Sequence, residues 1–145
     1  MNVRLRAAAH EDSEFVVRVE SETMQTYAVQ TWGTFAAAES RERAIRNLAA
    51  GRTQIIELDG VHVGILRVER SAESIDLKQI FILPEFQRRG VGSELLHHLM
   101  REAEATRLPL KLRVLRVNPA VHLYERLGFS VVNASAEHVY MAYAV

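Results

Sequence analysis

The sequence predicts an α/β (α+β) fold: a mixed, mostly antiparallel central sheet of six to seven strands flanked by about four helices. Three observations carry that expectation. Asp59-Gly60 separates two β-rich runs, "TQIIEL" and "VHVGILRVER", and a type I′ hairpin turn needs positive φ at both central positions. Between 75 and 115 the pattern runs strand, helix, strand, which demands a parallel pair joined by a crossover. Finally, "FSVV" and "HVYMAY" flank the polar "NASAE" as a closing antiparallel pair.

In chain order, "VRL" at 3–5 forms a short strand. Asp12 and Ser13 are N-cap residue types ahead of a helix that carries Phe15, Val16, Val19 and Tyr27 on one face. A second helix is expected over 39–50, ending at Gly51. After the hairpin, "IDLKQIFILP" changes phase: Ile75 and Leu77 are odd-numbered, Ile80 and Ile82 even. A period-two strand keeps all four on one face only if an extra residue intervenes near Gln79, as a β-bulge; a central strand buried on both faces is the alternative. Val91, Leu95, Leu96, Leu99, Met100 and Ala103 then form a helical stripe, and "LPLKLRVL" at 108–115 is the next strand. The last helix has Asn118 as N-cap, Pro119 at N1, Gly128 at C′ and the stripe Ala120, Leu123, Tyr124, Leu127.

The 145 residues fit one domain with a sizeable core, and no repeat or linker divides them. Eighteen basic residues balance eighteen acidic ones, so there is no global field for nucleic acid or an anionic membrane, and any anion site must be local. With no cysteine, thiolate metal sites and a cysteine nucleophile are excluded. His97 and His98 diverge around their helix and make no metal site. No apolar run reaches the length of a membrane span, and a cytoplasmic protein is expected.

Charge and backbone freedom concentrate in "PEFQRRGVGSELL". Gly90 and Gly92 allow close approach to unpaired amides at a helix N-terminus, and Arg88 and Arg89 add cations, a combination suited to pyrophosphate. No Lys-Ser/Thr follows and no third glycine is present, which argues against P-loop and dinucleotide sites. "ILPEFQRRGVGSELL" resembles the Gln/Arg-x-x-Gly-x-Gly signature of the GNAT N-acetyltransferase superfamily, and "NPAVHLYERLGF" resembles the second part of its pattern. The resemblance covers about residues 53–130.

It implies acetyl-CoA as donor co-substrate, with no metal, and a primary amine of a small molecule or peptide as acceptor. The pyrophosphate would sit on Arg88, Arg89, Gly90, Val91, Gly92 and Ser93, with Gln87 opening the motif, and the pantetheine arm would pair with the backbone of Phe81, Ile82 and Leu83. Tyr124 would act as acid toward the departing thiolate and Asn118 would contact the coenzyme, although an apolar stripe and a helix cap account for the same two residues. Asp76 is implied as base on the bulged strand, and Gln79 as a residue that orients water. Glu20, Glu22, Tyr27 and Trp32 are expected to line the acceptor pocket. Without cysteine, direct attack in a ternary complex is favoured over an acetyl-enzyme. A non-catalytic acyl-CoA-sensing module is the other reading of the same cradle. A homodimer through a sheet edge is compatible with the pattern.

Overall fold

The computed structural model describes residues 1–144. Seven strands, β1 (Val3–Ala7), β2 (Gln54–Leu58), β3 (Val61–Arg70), β4 (Ile75–Ile82), β5 (Leu110–Leu115), β6 (Ser130–Ala134) and β7 (His138–Tyr143), form one sheet in the order β1-β2-β3-β4-β5-β7-β6. Among the described residues there are four α-helices, α1 (Ser13–Trp32), α2 (Ala37–Ala49), α3 (Val91–Thr106) and α4 (Ala120–Leu127), and two short 3-10 turns at His10–Asp12 and Pro84–Phe86. Every neighbouring pair of strands is antiparallel except β4–β5.

Apolar phase sorts the two faces. Val16 and Val19 of α1 and Ala44 of α2 pack with Ile55, Ile65, Phe81 and Leu83 on one side of the sheet. On the other, Leu95, Leu96, Leu99 and Met100 of α3 and Tyr124 of α4 pack on Leu66, Leu77, Leu110, Leu112 and Met141.

The turn between β2 and β3 has the expected form, with φ of 50° at Asp59 and 83° at Gly60. Within β4, Gln79 opposes Arg67 and Leu77 opposes Val68, so Lys78 is the extra residue of a bulge. Ile75 and Leu77 below it and Ile80 and Ile82 above it all join the α3–α4 side, which resolves the phase break. Phe81 packs on the opposite, α1–α2 side, so the upper half of β4 is apolar on both faces and the bulge accompanies that burial.

The start of α1 departs from expectation. Asp12 occupies the N-cap position but makes no side-chain cap. Its carboxylate accepts instead from the Ala9 amide at 2.8 Å and from both terminal nitrogens of Arg6 at 2.9 Å. A charged bidentate partner outcompetes an amide in the adjacent turn. Ser13 likewise does not cap; its hydroxyl donates to the His10 carbonyl. At α4 the cap is made: Asn118 Oδ1 accepts from the Ala120 amide at 2.9 Å, and Pro119 is already helical at φ −63°. Gly128, at φ 108°, ends that helix, and the Phe129 amide returns to the Tyr124 carbonyl.

Candidate active site

The site begins where β4 and β5 part. They pair only through Ile75–Leu110, Asp76–Lys111 and Leu77–Leu112, although β4 continues to Ile82 and β5 to Leu115. Beyond the Lys78 bulge the strands splay into an open cleft of about 1760 Å³. The backbone that faces this gap follows from antiparallel alternation. The Leu83 amide donates to Val63 across β3, which commits Leu83 and Phe81 to the β3 side and turns the Ile80 and Ile82 peptide groups toward the gap. Of the three residues expected to pair with a pantetheine arm, only Ile82 therefore turns both backbone groups toward the gap; Phe81 faces β3, and at Leu83 the amide donates to Val63 while the carbonyl accepts from the Phe86 amide. The Ile82 carbonyl already accepts from Gln87 Nε2 at 2.9 Å, which ties the signature glutamine to the strand end.

One end of the cleft is the N-terminus of α3. Gly90 stands before the helix at φ 85°, and Arg88 also adopts positive φ, 63°. The first helical bond runs from the Glu94 amide to the Gly90 carbonyl, which leaves the preceding amides free for a ligand. At Gly92 a β-carbon would meet nothing within 4 Å, so the glycine leaves an open recess at the helix start where a side chain would intrude. Arg88 lines the cleft, whereas Arg89 lies outside it, its guanidinium 5.3 Å above the Phe86 ring.

Tyr124 stands on the opposite wall. The residue is 7% exposed, its ring packs on Phe129 with centroids 5.7 Å apart, and it still lines the cleft. Burial pushes its phenol up to about 12, so the hydroxyl stays protonated near neutrality. Asn118 also lines the cleft, with its carbonyl oxygen spent on the α4 cap.

At the other end α1 leans over β4. Glu20, Tyr27, Trp32 and Gln79 all line the cleft, as does the half-buried Asp76, which accepts from the Ser74 hydroxyl at 3.0 Å. Glu22 does not join them: it is exposed and paired with Arg18 at 2.6 Å. The C-terminal end of α1 reaches β7, where the Trp32 ring lies 6.1 Å from that of His138, which in turn neighbours Tyr140 at 6.3 Å. Burial and then Arg113 lower the pKa of His138 from the ordinary imidazole value, which favours the neutral ring. Arg67, His138 and Tyr140 were not anticipated as cleft residues. For Tyr140 the signal was present, because an aromatic residue in a closing strand faces either the core or the neighbouring groove.

Among the described residues, no group of three or more His, Asp or Glu side chains is placed to hold a metal. No helix of the described chain is long and apolar enough to cross a membrane.

The family model for an acetyltransferase (GNAT) domain matches residues 49–131, more than half of the chain. The chain belongs to that family and is an acetyl-CoA-dependent acetyltransferase. Solved structures share its fold at low identity. An acetyltransferase from Thermus thermophilus is 20% identical with a TM-score of 0.78, covering 100% of this chain and 98% of its own. The PaiA N-acetyltransferase of Thermoplasma acidophilum, in complex with coenzyme A, is 16% identical at 0.74, covering 100% of both chains. The ribosomal-protein-S18-alanine N-acetyltransferase of Escherichia coli is 19% identical at 0.69, covering 99% of this chain and 94% of its own. No curated protein matches.

Proposed function

We propose that this enzyme transfers the acetyl group of acetyl-CoA to a primary amine of a small molecule or peptide by direct attack in a ternary complex. The observation that carries the reading is the splay itself, which presents the Ile82 edge and Tyr124 to one cleft that ends at the α3 N-terminus. The open recess at Gly92 fits a pyrophosphate on the amides of Arg88 to Ser93, with the Arg88 side chain beside them. Acetyl-CoA, when bound, supplies an activated thioester.

The chain's own groups then divide the remaining work. The outward amides of Ile80 and Ile82 are donors for the negative charge that develops on the acetyl oxygen. Tyr124, protonated and held by Phe129, donates its proton toward the departing sulfur. Tyr27, Trp32 and Gln79 form the acceptor end, and Asn118 fixes the start of α4 so that Tyr124 keeps its aim. The amine must shed a proton before attack, because an alkylamine in water is almost wholly protonated at neutral pH, with a pKa near 10.4. Four carboxylates line the cleft, Glu20, Glu39, Glu69 and Asp76, and of these Glu20 of α1 and Asp76 of β4 are the candidates for this purpose. The S18-alanine acetyltransferase, by its name an enzyme acting on an alanine of a protein, supports an amine acceptor.

The test is sequential. Acetyl-CoA at 100 times its Kd adds about 2.7 kcal/mol of stability, which raises Tm by roughly 9 °C for a domain of this size. Thiol release is then followed against polyamines, peptides with free N-termini, lysine peptides and aminoglycosides. No thermal shift at millimolar acetyl-CoA overturns the reading. A shift without thiol release across the panel replaces it with an acyl-CoA-sensing module.

A further inference from the structure

We infer that Glu20 receives the acceptor's ammonium group and takes its proton, with Gln79 holding the carboxylate in place. The inference rests on the acetyl-transfer reading above and assigns a residue of α1 to its proton transfer.

Glu20 follows Val16 and Val19 on the buried stripe of α1 and is itself only 5% exposed. A carboxylate there requires partners, and it has one for a single oxygen. Oε1 accepts from Gln79 Nε2 at 2.9 Å; Oε2 is buried without a partner. Gln79 cannot turn to serve it differently. Its own Oε1 accepts from Arg67 Nε at 3.4 Å, and because a guanidinium only donates, the amide must show oxygen to Arg67 and nitrogen to Glu20. The chain Arg67–Gln79–Glu20 thus fixes the carboxylate and leaves Oε2 as a buried acceptor without a donor. An unsatisfied buried acceptor costs stability, and a donor delivered by substrate would remove that cost.

The placement separates Glu20 from Asp76. Gln79 lies just above the bulge, where β4 has left β5. Asp76 lies below it in the paired seam beside Lys111, with one oxygen occupied by Ser74. Glu20 shares the cleft with Tyr27, Trp32 and Phe81, and aromatic faces favour an approaching cation. The charged groups around it are Arg43 from α2 and Arg67 from β3, which with Gln79 favour the ionised form; burial works against them and dominates, holding the carboxyl above its ordinary range. That direction suits a base working near neutrality.

The step balances. One ammonium proton passes to Glu20 Oε2; the neutral nitrogen bonds to the acetyl carbon as the carbon–sulfur bond breaks. The second nitrogen proton replaces the one Tyr124 gives to sulfur, and Glu20 later releases its proton to water.

Carboxyl-carbon NMR of glutamate-labelled wild-type enzyme with coenzyme A bound, titrated with and without n-butylammonium, reads the site directly. Glu20 is expected to titrate above the other glutamates, and butylammonium to lower its midpoint, because a nearby cation favours the charged form. With the fastest amine of the panel, kcat/KM of the wild type falls as pH drops through the Glu20 midpoint. Glu20→Gln lowers it by about 100-fold and abolishes that acid limb, while the acetyl-CoA thermal shift persists. A Glu20 signal unmoved by butylammonium, or an acid limb that survives Glu20→Gln and vanishes in Asp76→Asn, overturns the inference. Failure of the acetyl-transfer reading shows separately, as absence of the thermal shift in the wild type.

Discussion

Gly64 of β3 faces Ile82 of β4 so closely that a β-carbon at Gly64 would lie 2.1 Å from the Phe81 carbonyl oxygen. That oxygen is backbone and cannot swing away. Gly64→Ala must therefore push β4 toward the cleft, moving the Ile82 edge on which acetyl-CoA is expected to lie. The cost expected for such overpacking is about 1–3 kcal/mol, with a parallel loss of acetyl-CoA affinity. Thermal melts and acetyl-CoA titration of the variant check both; an unchanged affinity would detach the strand edge from binding.

The two signature glycines predict opposite behaviour. Gly90 needs φ of 85°, which L-residues adopt at a cost of about 1–2 kcal/mol, so Gly90→Ala lowers Tm. Gly92 has no such constraint and open space around it, so Gly92→Ala leaves the unliganded protein as stable or slightly more so. Its methyl group enters the recess instead, and acetyl-CoA affinity is expected to fall at least about 10-fold, about 1.4 kcal/mol. Differential scanning fluorimetry with and without acetyl-CoA separates the two effects.

For Tyr124, the ring packs and the hydroxyl reacts. Tyr124→Phe keeps the contact with Phe129 and is expected to change stability by less than about 0.5 kcal/mol. Its kcat should fall by about 100-fold while acetyl-CoA affinity stays near wild type. Because burial raises the phenol to about 12, wild-type activity should show no loss from tyrosine ionisation through pH 9. Steady-state kinetics across pH decides this, and an unchanged kcat in the variant removes Tyr124 as the acid.

Acid sensitivity is expected from Asp12. The Arg6 guanidinium and the Ala9 amide hold its carboxyl down to about 2, below the unfolded value of 3.8. A depressed folded pKa stabilises the protein above the unfolded value, and the contribution is lost as pH falls from about 4 toward 2. Urea unfolding at pH 7 and pH 3 should show Asp12→Asn costing about 1–2 kcal/mol at the higher pH and markedly less at the lower.

How far the sequence reached can be judged at particular residues. The bulge was legible because Ile75, Leu77, Ile80 and Ile82 share one core, and a core face cannot change parity without an inserted residue. The hairpin was legible because Asp59-Gly60 leaves few alternatives. By contrast, no local pattern tells which edge of a strand has lost its neighbour. The phase of Phe81 and Leu83 marks their side chains as core while saying nothing of where their peptide groups point, and only the register with β3 supplies that. Glu22 and Glu20 stood as equals in the sequence; their fates differ because Glu20 alone keeps the spacing of the Val16 stripe, four residues on. An acid on a buried stripe was the overlooked signal. Asp12 failed as a cap for a reason remote in the chain, the arrival of Arg6 from β1.

The short β4–β5 seam divides the sheet into two panels, β1–β4 and β5–β7–β6, joined by three residue pairs. A molecule reaching from Ile82 on one panel to the wall beside the other would act as a cross-tie, spanning a line that the sheet itself barely stitches. Occupancy and mechanical continuity are thus linked. The amides of Leu110 to Leu112 should exchange with solvent faster in the free protein than those of β7 beside them, and should slow most when acetyl-CoA binds.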